Sequence, residues 1–179
     1  MTKKSLRAVW WSVTLLYITF IFATLGVMPR IWPKIDSLLA GKSVLAIYVI
    51  YSIVGALTLN FILFIKRERS YRKYILFFLF IGIIIATIKL VKLPAEKIHV
   101  AEYGLLGVLF YNALKVDFDR FGKKLYIYGI IACLIIGILD EIIQLILPNR
   151  YFGWSDIVVN SVCAIVVLLM IKFVILTKQ

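Results

Sequence analysis

The stretch DEIIQLILPNRYFGWSDIVVN, residues 140–160, decides the fold of this chain. It places Asp140, Glu141 and Gln144 inside an otherwise apolar helix, and a short loop then leads into a second apolar helix. A carboxylate at the centre of a helix in a lipid bilayer costs about 2.5–3.5 kcal/mol on insertion scales. Two adjacent carboxylates are therefore expected to face a partner or a hydrated cavity, with other helices packed around them.

The composition indicates a protein whose solvent is a lipid bilayer. Of the 179 residues 63% are hydrophobic, and the mean hydropathy of +1.01 exceeds what a soluble core needs. The net charge is +12, but Lys and Arg lie in short clusters between apolar runs, and this arrangement excludes nucleic acid as a partner. Cys133 and Cys163 fall within apolar runs, where they are expected to behave as small hydrophobes. We predict a multi-pass protein of the cell membrane, with the bilayer as its partner.

Six apolar runs predict an all-α, polytopic transmembrane helical bundle. The predicted spans are residues 8–28, 44–65, 74–90, 95–114, 125–147 and 157–176. The first is longer than a signal-peptide core and is expected to be retained. Pro94 separates the third span from the fourth, and Pro148 ends the fifth because the residue before a proline avoids the helical region. Residues 29–33 are predicted to form an interfacial turn anchored by Trp32.

The distribution of Lys and Arg predicts the orientation of the bundle. If the N-terminus is inside, the inner segments carry twice as many Lys and Arg residues as the outer loops. This bias predicts that both termini are cytoplasmic. His99, Asp140 and Asp156 would then lie near the outer ends of the last three spans, on one side of the membrane.

Helical spacing groups the polar residues of these three spans into shared faces, because residues three or four apart are neighbours on a helix. The groups are His99, Glu102 and Tyr103 on span four; Asp140, Glu141 and Gln144 on span five; and Asp156 and Asn160 on span six. Asp140 lies about 10 Å below the end of its helix, away from bulk water. We predict an outward-open pocket between these three helices.

The candidate catalytic residues are Asp140, Glu141, His99 and Glu102. Two carboxylates held close together in a low dielectric can share a proton and act as general acid and base. A buried ion-pair network with Arg150 and other basic side chains is an equal alternative, because structural networks also perturb protonation. His99 is also compatible with a capping or interfacial role.

The candidate ligand-binding residues are Arg150, Asp156, Gln144, Asn160 and Tyr103. Arg150 offers a planar guanidinium that suits a phosphate or carboxylate, as in a lipid headgroup, undecaprenyl phosphate or a peptide C-terminus, or it neutralises Asp156. Asp156 also suits the N-cap or first turn of the last helix. Gln144 and Asn160 can form hydrogen bonds that hold helices together. Tyr103 fits an interfacial anchor.

No cofactor and no metal site are predicted. Oxygen ligands from Glu102, Asp140, Glu141 and Asp156, with His99, would suit magnesium, manganese or calcium better than zinc, but their spacing matches no dedicated ligand motif. The sequence also lacks a glycine-rich phosphate loop, a nucleophilic Ser with its own base and a dinucleotide fingerprint.

Two segments resemble the VanZ-like family of small bacterial membrane proteins, whose founding type is associated with teicoplanin resistance. They are the stretch Lys97, His99, Glu102, Tyr103, Gly104, and the ordered series Asp140, Glu141, Gln144, Pro148, Arg150, Asp156, Asn160. The resemblance covers residues 94–176, and the family's glycines three and seven residues after the Asn are Cys163 and Val167 here. The chain is expected to be one structural unit with two parts. Residues 1–93 form three N-terminal helices that the resemblance does not cover, and residues 94–179 form the VanZ-like region. The resemblance implies membership of the cell envelope.

The leading functional interpretation is an envelope protein that binds or modifies an anionic lipid-linked or cell-wall component at the outer membrane surface. The resemblance links this role to glycopeptide resistance or envelope homeostasis. Whether the protein is an enzyme stays open; hydrolysis or group transfer at a phosphate or acyl link would be the natural reaction class. The alternatives are a proton-coupled carrier that loads protons on Asp140 and Glu141, and a non-catalytic interaction protein. The sequence does not determine the oligomeric state.

Overall fold

The computed structural model of the chain describes residues 2–42, 46, 49, 55, 70–89, 97–118, 122–148 and 150–176. Within those ranges the regular structure is helical throughout, without a strand, and this confirms the predicted all-α class. Two sequence-based predictions lie outside the described residues: nearly all of the second span at 44–65, and Pro94 as the boundary between the third and fourth spans.

Six α-helices make up the described part of the chain. They are α1 (Lys3–Leu25), α2 (Met28–Leu38), α3 (Tyr71–Ile88), α4 (His99–Leu114), α5 (Lys123–Ile146) and α6 (Trp154–Met170). A π-helical turn, Ile171–Ile175, extends α6. Among them α1, α3, α5 and the extended α6 are each long and apolar enough to cross a membrane. The helix α4 has 16 residues and is the most buried of the six.

Near the N-terminus, the start of α1 and the nature of residues 29–33 both differ from the sequence-based prediction for identifiable reasons. The helix α1 begins before the apolar run, at Lys3, because the Thr2 hydroxyl accepts a hydrogen bond from the Ser5 N–H and caps it. The predicted interfacial turn at residues 29–33 is wrong, since these residues lie in α2. Pro29 occupies the first turn of α2, where its missing N–H has no helical partner to lose.

The centre of the bundle is the contact between α4 and α6. A Cβ atom added to Gly107 would lie 3.3 Å from the carbonyl oxygen of Ala164 and 3.6 Å from its Cα. Small residues allow this close approach of two helix backbones. Tyr103, Leu106 and Leu168 are fully buried around the contact, α5 packs against both helices, and α1 packs against α4 and α5. The helix α3 covers the outer side of α6.

Contacts at the two ends of the bundle establish the direction of its helices. Arg7 Nε lies 3.1 Å from Asp117 Oδ2, which joins the start of α1 to the end of α4. At the opposite end Arg150 Nε donates to the Leu25 carbonyl oxygen at 3.4 Å, which joins the end of α1 to the loop between α5 and α6. The end of α1, the start of α4, the end of α5 and the start of α6 therefore meet. We call this end, marked by Leu25 and Arg150, the polar end.

Candidate functional site

The polar end holds all nine candidate site residues. The helix α4 supplies His99, Glu102 and Tyr103, α5 supplies Asp140, Glu141 and Gln144, α6 supplies Asp156 and Asn160, and the connecting loop supplies Arg150. Arg150 is half-buried and the other eight are buried. Their helical spacing turns them toward the interior, because a polar side chain facing hydrocarbon would have no partner.

His99 brings acids from two helices together. Its Nδ1 lies 2.8 Å from Glu102 Oε2, one turn along α4, and 4.0 Å from Asp140 Oδ2 on α5. The Tyr103 ring stands edge-on to the imidazole at a centroid distance of 6.2 Å, and its hydroxyl faces the Asp140 carboxyl group. An imidazole and two carboxyl groups thus form a continuous row in the interior.

Gly137 makes room for this row. A Cβ atom there would lie 3.6 Å from both Asn160 Cβ and Tyr103 Cε1. Because Gly137 precedes Asp140 by one turn, α4 and α6 can both approach α5 directly beside the acid. Gly137 was not among the predicted site residues, although an isolated glycine inside a helical pattern often marks close packing.

Glu141 is held by two hydrogen bonds. The Gln144 amide nitrogen donates to Oε1 at 2.8 Å, and the backbone N–H of Gly153 donates to Oε2 at 2.8 Å. Gly153 is the N-cap residue of α6, immediately before its first residue, Trp154. Glu141 therefore ties the end of α5 to the start of α6 and positions the loop that carries Arg150. The amide nitrogen of Gln144 bonds within α5, so this group does not form the interhelical bond that was one of its possible roles.

Asp156 lies in the first turn of α6, and Gly153 holds the N-cap position. This excludes the N-cap interpretation of Asp156 and agrees with the first-turn interpretation. The Ser155 hydroxyl donates to Asp156 Oδ1 at 3.4 Å. A Cβ atom on Gly153 would come within 2.6 Å of Asp156 Oδ2, so the carboxyl group packs directly over the Gly153 backbone. An acid in the first turn is also stabilised by the helix dipole.

A small cavity lies next to His99, Glu102 and Arg150. Its remaining walls are Thr24, Leu25, Met28 and Ile98. It leaves about 10 Å³ for the centre of a water molecule, which is room for roughly one water. The predicted pocket had walls from the last three spans alone, whereas the end of α1 closes this one. No sequence signal marks those α1 residues, because an apolar side chain that faces lipid looks the same as one that faces protein.

Arg150 provides the positive charge of the site. Its guanidinium group acts electrostatically on His99, Asp140 and Asp156, although they belong to three different helices. Its Nε bond to the Leu25 carbonyl oxygen holds the side chain at the edge of the cavity. Arg150 is thus both part of the buried charge network and accessible from the polar end.

Unpaired polar atoms are concentrated in this cluster. Among the described residues, seven buried side-chain atoms have no hydrogen-bond partner of ordinary geometry, and all belong to the candidate site: His99 Nδ1, Tyr103 OH, both carboxyl oxygens of Asp140, Gln144 Oε1 and both amide atoms of Asn160. Some of these atoms face one another, since His99 Nδ1 lies 2.8 Å from Glu102 Oε2 and the Tyr103 hydroxyl faces the Asp140 carboxyl group. The cluster is therefore a network of polar groups between which a proton can be shared.

The described part of the chain contains no group of three or more His, Cys, Asp or Glu side chains arranged to hold a metal ion. The four acids of the site are divided among three partners. Glu102 and Asp140 both face His99, Glu141 meets Gly153, and Asp156 meets Ser155.

Comparison with known proteins identifies no relative. The chain matches no protein-family model, no curated protein and no solved structure.

Proposed function

We propose that this chain is a VanZ-like protein of the bacterial cell envelope that binds an anionic lipid-linked or cell-wall component at its polar end. The observation that carries the proposal is the position of Arg150, a half-buried guanidinium that lines a cavity together with His99 and Glu102. A guanidinium binds phosphate or carboxylate oxygens through two parallel N–H donors. A link to glycopeptide (teicoplanin) resistance or envelope homeostasis rests on the resemblance of the sequence motifs.

We propose that the polar end lies at the outer membrane surface. Four helices of suitable length and hydropathy support a multi-pass protein, and we propose six spans with both termini in the cytoplasm. Basic residues at the other end of the bundle support this orientation, because positive charge favours the cytoplasmic side: Lys3, Lys4, Arg7, Lys115, Lys123, Lys124 and Lys172. The polar end would then face the compartment in which cell-wall precursors are exposed.

In this proposal Arg150 and the row of His99, Glu102 and Asp140 have different roles. Arg150 holds the negative charge of the ligand at the edge of the cavity. The row of His99, Glu102 and Asp140 lies below it and can accept or return a proton. In an enzyme of this type one of the acids would take the proton of an attacking hydroxyl group through His99, while Arg150 stabilises the charge that develops on a phosphate or acyl oxygen.

The test is expression in a teicoplanin-sensitive bacterial host, followed by drug-susceptibility and lipid profiling. We expect Asp140→Asn and Arg150→Ala to return the host to the behaviour of an empty-vector strain, because one removes the buried acid and the other the anion-binding group. Asp117→Asn is the matched control, since this acid pairs with Arg7 at the opposite end. Immunoblots of membranes establish equal insertion. Wild-type behaviour of both site variants at equal abundance would refute the proposal.

A proton-coupled carrier is a second candidate, and one specific observation favours it. The row from Glu102 through His99 to Asp140, with separations of 2.8 and 4.0 Å, is a short proton path in the interior. Proteoliposomes loaded with a pH-sensitive dye test this candidate. A carrier would show proton flux driven by a substrate gradient, and Asp140→Asn would abolish it. The absence of flux under any gradient would exclude the carrier.

A non-catalytic interaction protein is the third candidate, and the two bonds of Glu141 favour it, because they explain one buried acid by structure alone. This candidate predicts that acid-to-amide variants at every site position lose folded protein. Folded variants without function would exclude it.

A further inference from the structure

A second and larger cavity opens beside the polar cluster, where α1 turns into α2. Its walls are Gly26, Pro29, Arg30, Leu147 and Pro148, and we call it the corner groove. The volume in which the centre of a water molecule fits is about 200 Å³, so the corner groove accommodates a ligand much larger than one water. Except for Arg30, the side chains of these residues are apolar or absent.

The corner groove and the small cavity at Arg150 are built from the same two chain segments. Leu25 and Met28 line the small cavity, and their neighbours Gly26 and Pro29 line the groove. On the other side, Pro148 lines the groove and Arg150, two residues further on, lines the small cavity. The mostly apolar corner groove therefore lies next to the small cavity that contains the Arg150 guanidinium group.

We propose that the corner groove binds the hydrocarbon chain of a phosphate-bearing lipid whose headgroup lies between Arg30 and Arg150. This inference rests on the proposed function and specifies its ligand class. The position of the groove at the membrane boundary supports a lipid over a soluble anion, and its charge supports a phosphate over an uncharged headgroup.

The position follows from the length of α1. Its 23 residues extend about 35 Å, slightly more than the roughly 30 Å of bilayer hydrocarbon, so the corner after Leu25 lies at the membrane boundary. The helix α2 begins there and buries none of its 11 residues, and Ile31 and Leu38 are exposed on it. A groove beside such a helix opens toward lipid chains and headgroups rather than toward the protein interior.

The charge of the lining also selects the ligand. Among the described residues that line the corner groove, Arg30 is the single charged one, and no carboxyl group accompanies it. Arg150 adds a second guanidinium from the adjacent cavity. A phosphate bound between two guanidinium groups receives charge-assisted hydrogen bonds from both, whereas an uncharged headgroup would receive weaker ones.

The experiment uses the full-length protein in detergent micelles and three probes: fluorescently labelled phosphatidic acid, diacylglycerol with the same label, and glycerol 3-phosphate. Anisotropy measures the two lipids, and ³¹P NMR titration measures glycerol 3-phosphate. Wild-type protein is expected to bind phosphatidic acid more tightly than diacylglycerol. Gly26→Phe fills the groove and should weaken phosphatidic acid binding about tenfold, the effect of excluding roughly two methylene groups, while glycerol 3-phosphate binding is unchanged.

Matched variants separate the effect of filling the groove or removing its charge from the effect of a substitution as such. Gly26→Ala adds a Cβ at an ordinary 3.9 Å from Leu147 Cδ2 and should bind like wild type. Arg30→Gln should weaken phosphatidic acid binding, and Lys34→Gln, an exposed cation on α2 outside the groove, should not. Arg30 is exposed, so its variant keeps the inference testable if Gly26→Phe misfolds.

The outcomes separate this inference from the proposed function. Loss of phosphatidic acid binding in Arg150→Ala, with wild-type binding in Gly26→Phe and Arg30→Gln, would overturn the groove and leave the proposed function standing. Equal binding of phosphatidic acid and diacylglycerol would overturn the phosphate specificity. Absence of binding of either lipid by wild type would overturn the inference, whereas the susceptibility test of Asp140→Asn and Arg150→Ala decides the proposed function.

Discussion

A Glu141→Ala variant is expected to lose about 3 kcal/mol of unfolding free energy, because the buried Gln144 amide and the half-buried Gly153 N–H both lose their acceptor. Glu141 is 0% exposed, and its two oxygens accept from the Gly153 N–H and from the Gln144 amide, each at 2.8 Å. The alanine side chain has no oxygen that could accept a hydrogen bond from either donor. The start of α6 would also be released from the end of α5, and with it the loop that carries Arg150.

Unfolding in mixed micelles by titration with a denaturing detergent measures this loss. Glu141→Gln retains one acceptor oxygen and should fall between wild type and Glu141→Ala. Ile142→Ala is the matched control, since the neighbouring side chain is 44% exposed on the outside of the bundle and should change stability little. Wild-type stability of Glu141→Ala would mean that Glu141 does not hold the loop, and its assignment as a catalytic acid would regain weight.

A Gly107→Leu variant is expected to lose about 3 kcal/mol, at the upper end of the usual effect of overpacking a core. The added Cβ would meet the carbonyl oxygen of Ala164 at 3.3 Å and its Cα at 3.6 Å. These are backbone atoms, which cannot rotate away as the tip of a side chain can. The helices α4 and α6 would have to separate. Because Tyr103 lies one turn from Gly107, the row of His99 and the acids would be disturbed as well.

Thermal unfolding in detergent, read by circular dichroism, tests this prediction alongside Gly82→Leu. Gly82 lies in the middle of α3, is exposed, and has no described heavy atom within 4 Å of an added Cβ, so the same substitution should be tolerated there. Gly107→Ala should lie between the two. Equal stability of the two leucine variants would show that α4 and α6 do not pack as closely as described.

Several features of the fold could be predicted from the sequence because they follow from local rules. Pro148 ends α5 as predicted, and Leu147 before it has an extended backbone. The polar residues of the last helices lie on inward faces because helical spacing places them together and hydrocarbon excludes them. The start of α1 and the existence of α2 were missed, since hydropathy alone ignores the Thr2 cap and treats Pro29 as a breaker.

The amino-acid sequence by itself determined that acids from three helices would lie at one end of an apolar bundle, because lipid cannot solvate them and helical periodicity aligns them. Only the tertiary structure decided the partner of each acid. Glu141 binds a backbone N–H of Gly153, and Leu25 contributes a carbonyl oxygen to Arg150. Backbone groups are the same at every residue, so no sequence pattern could identify these two contacts or show that α1 closes the cavity.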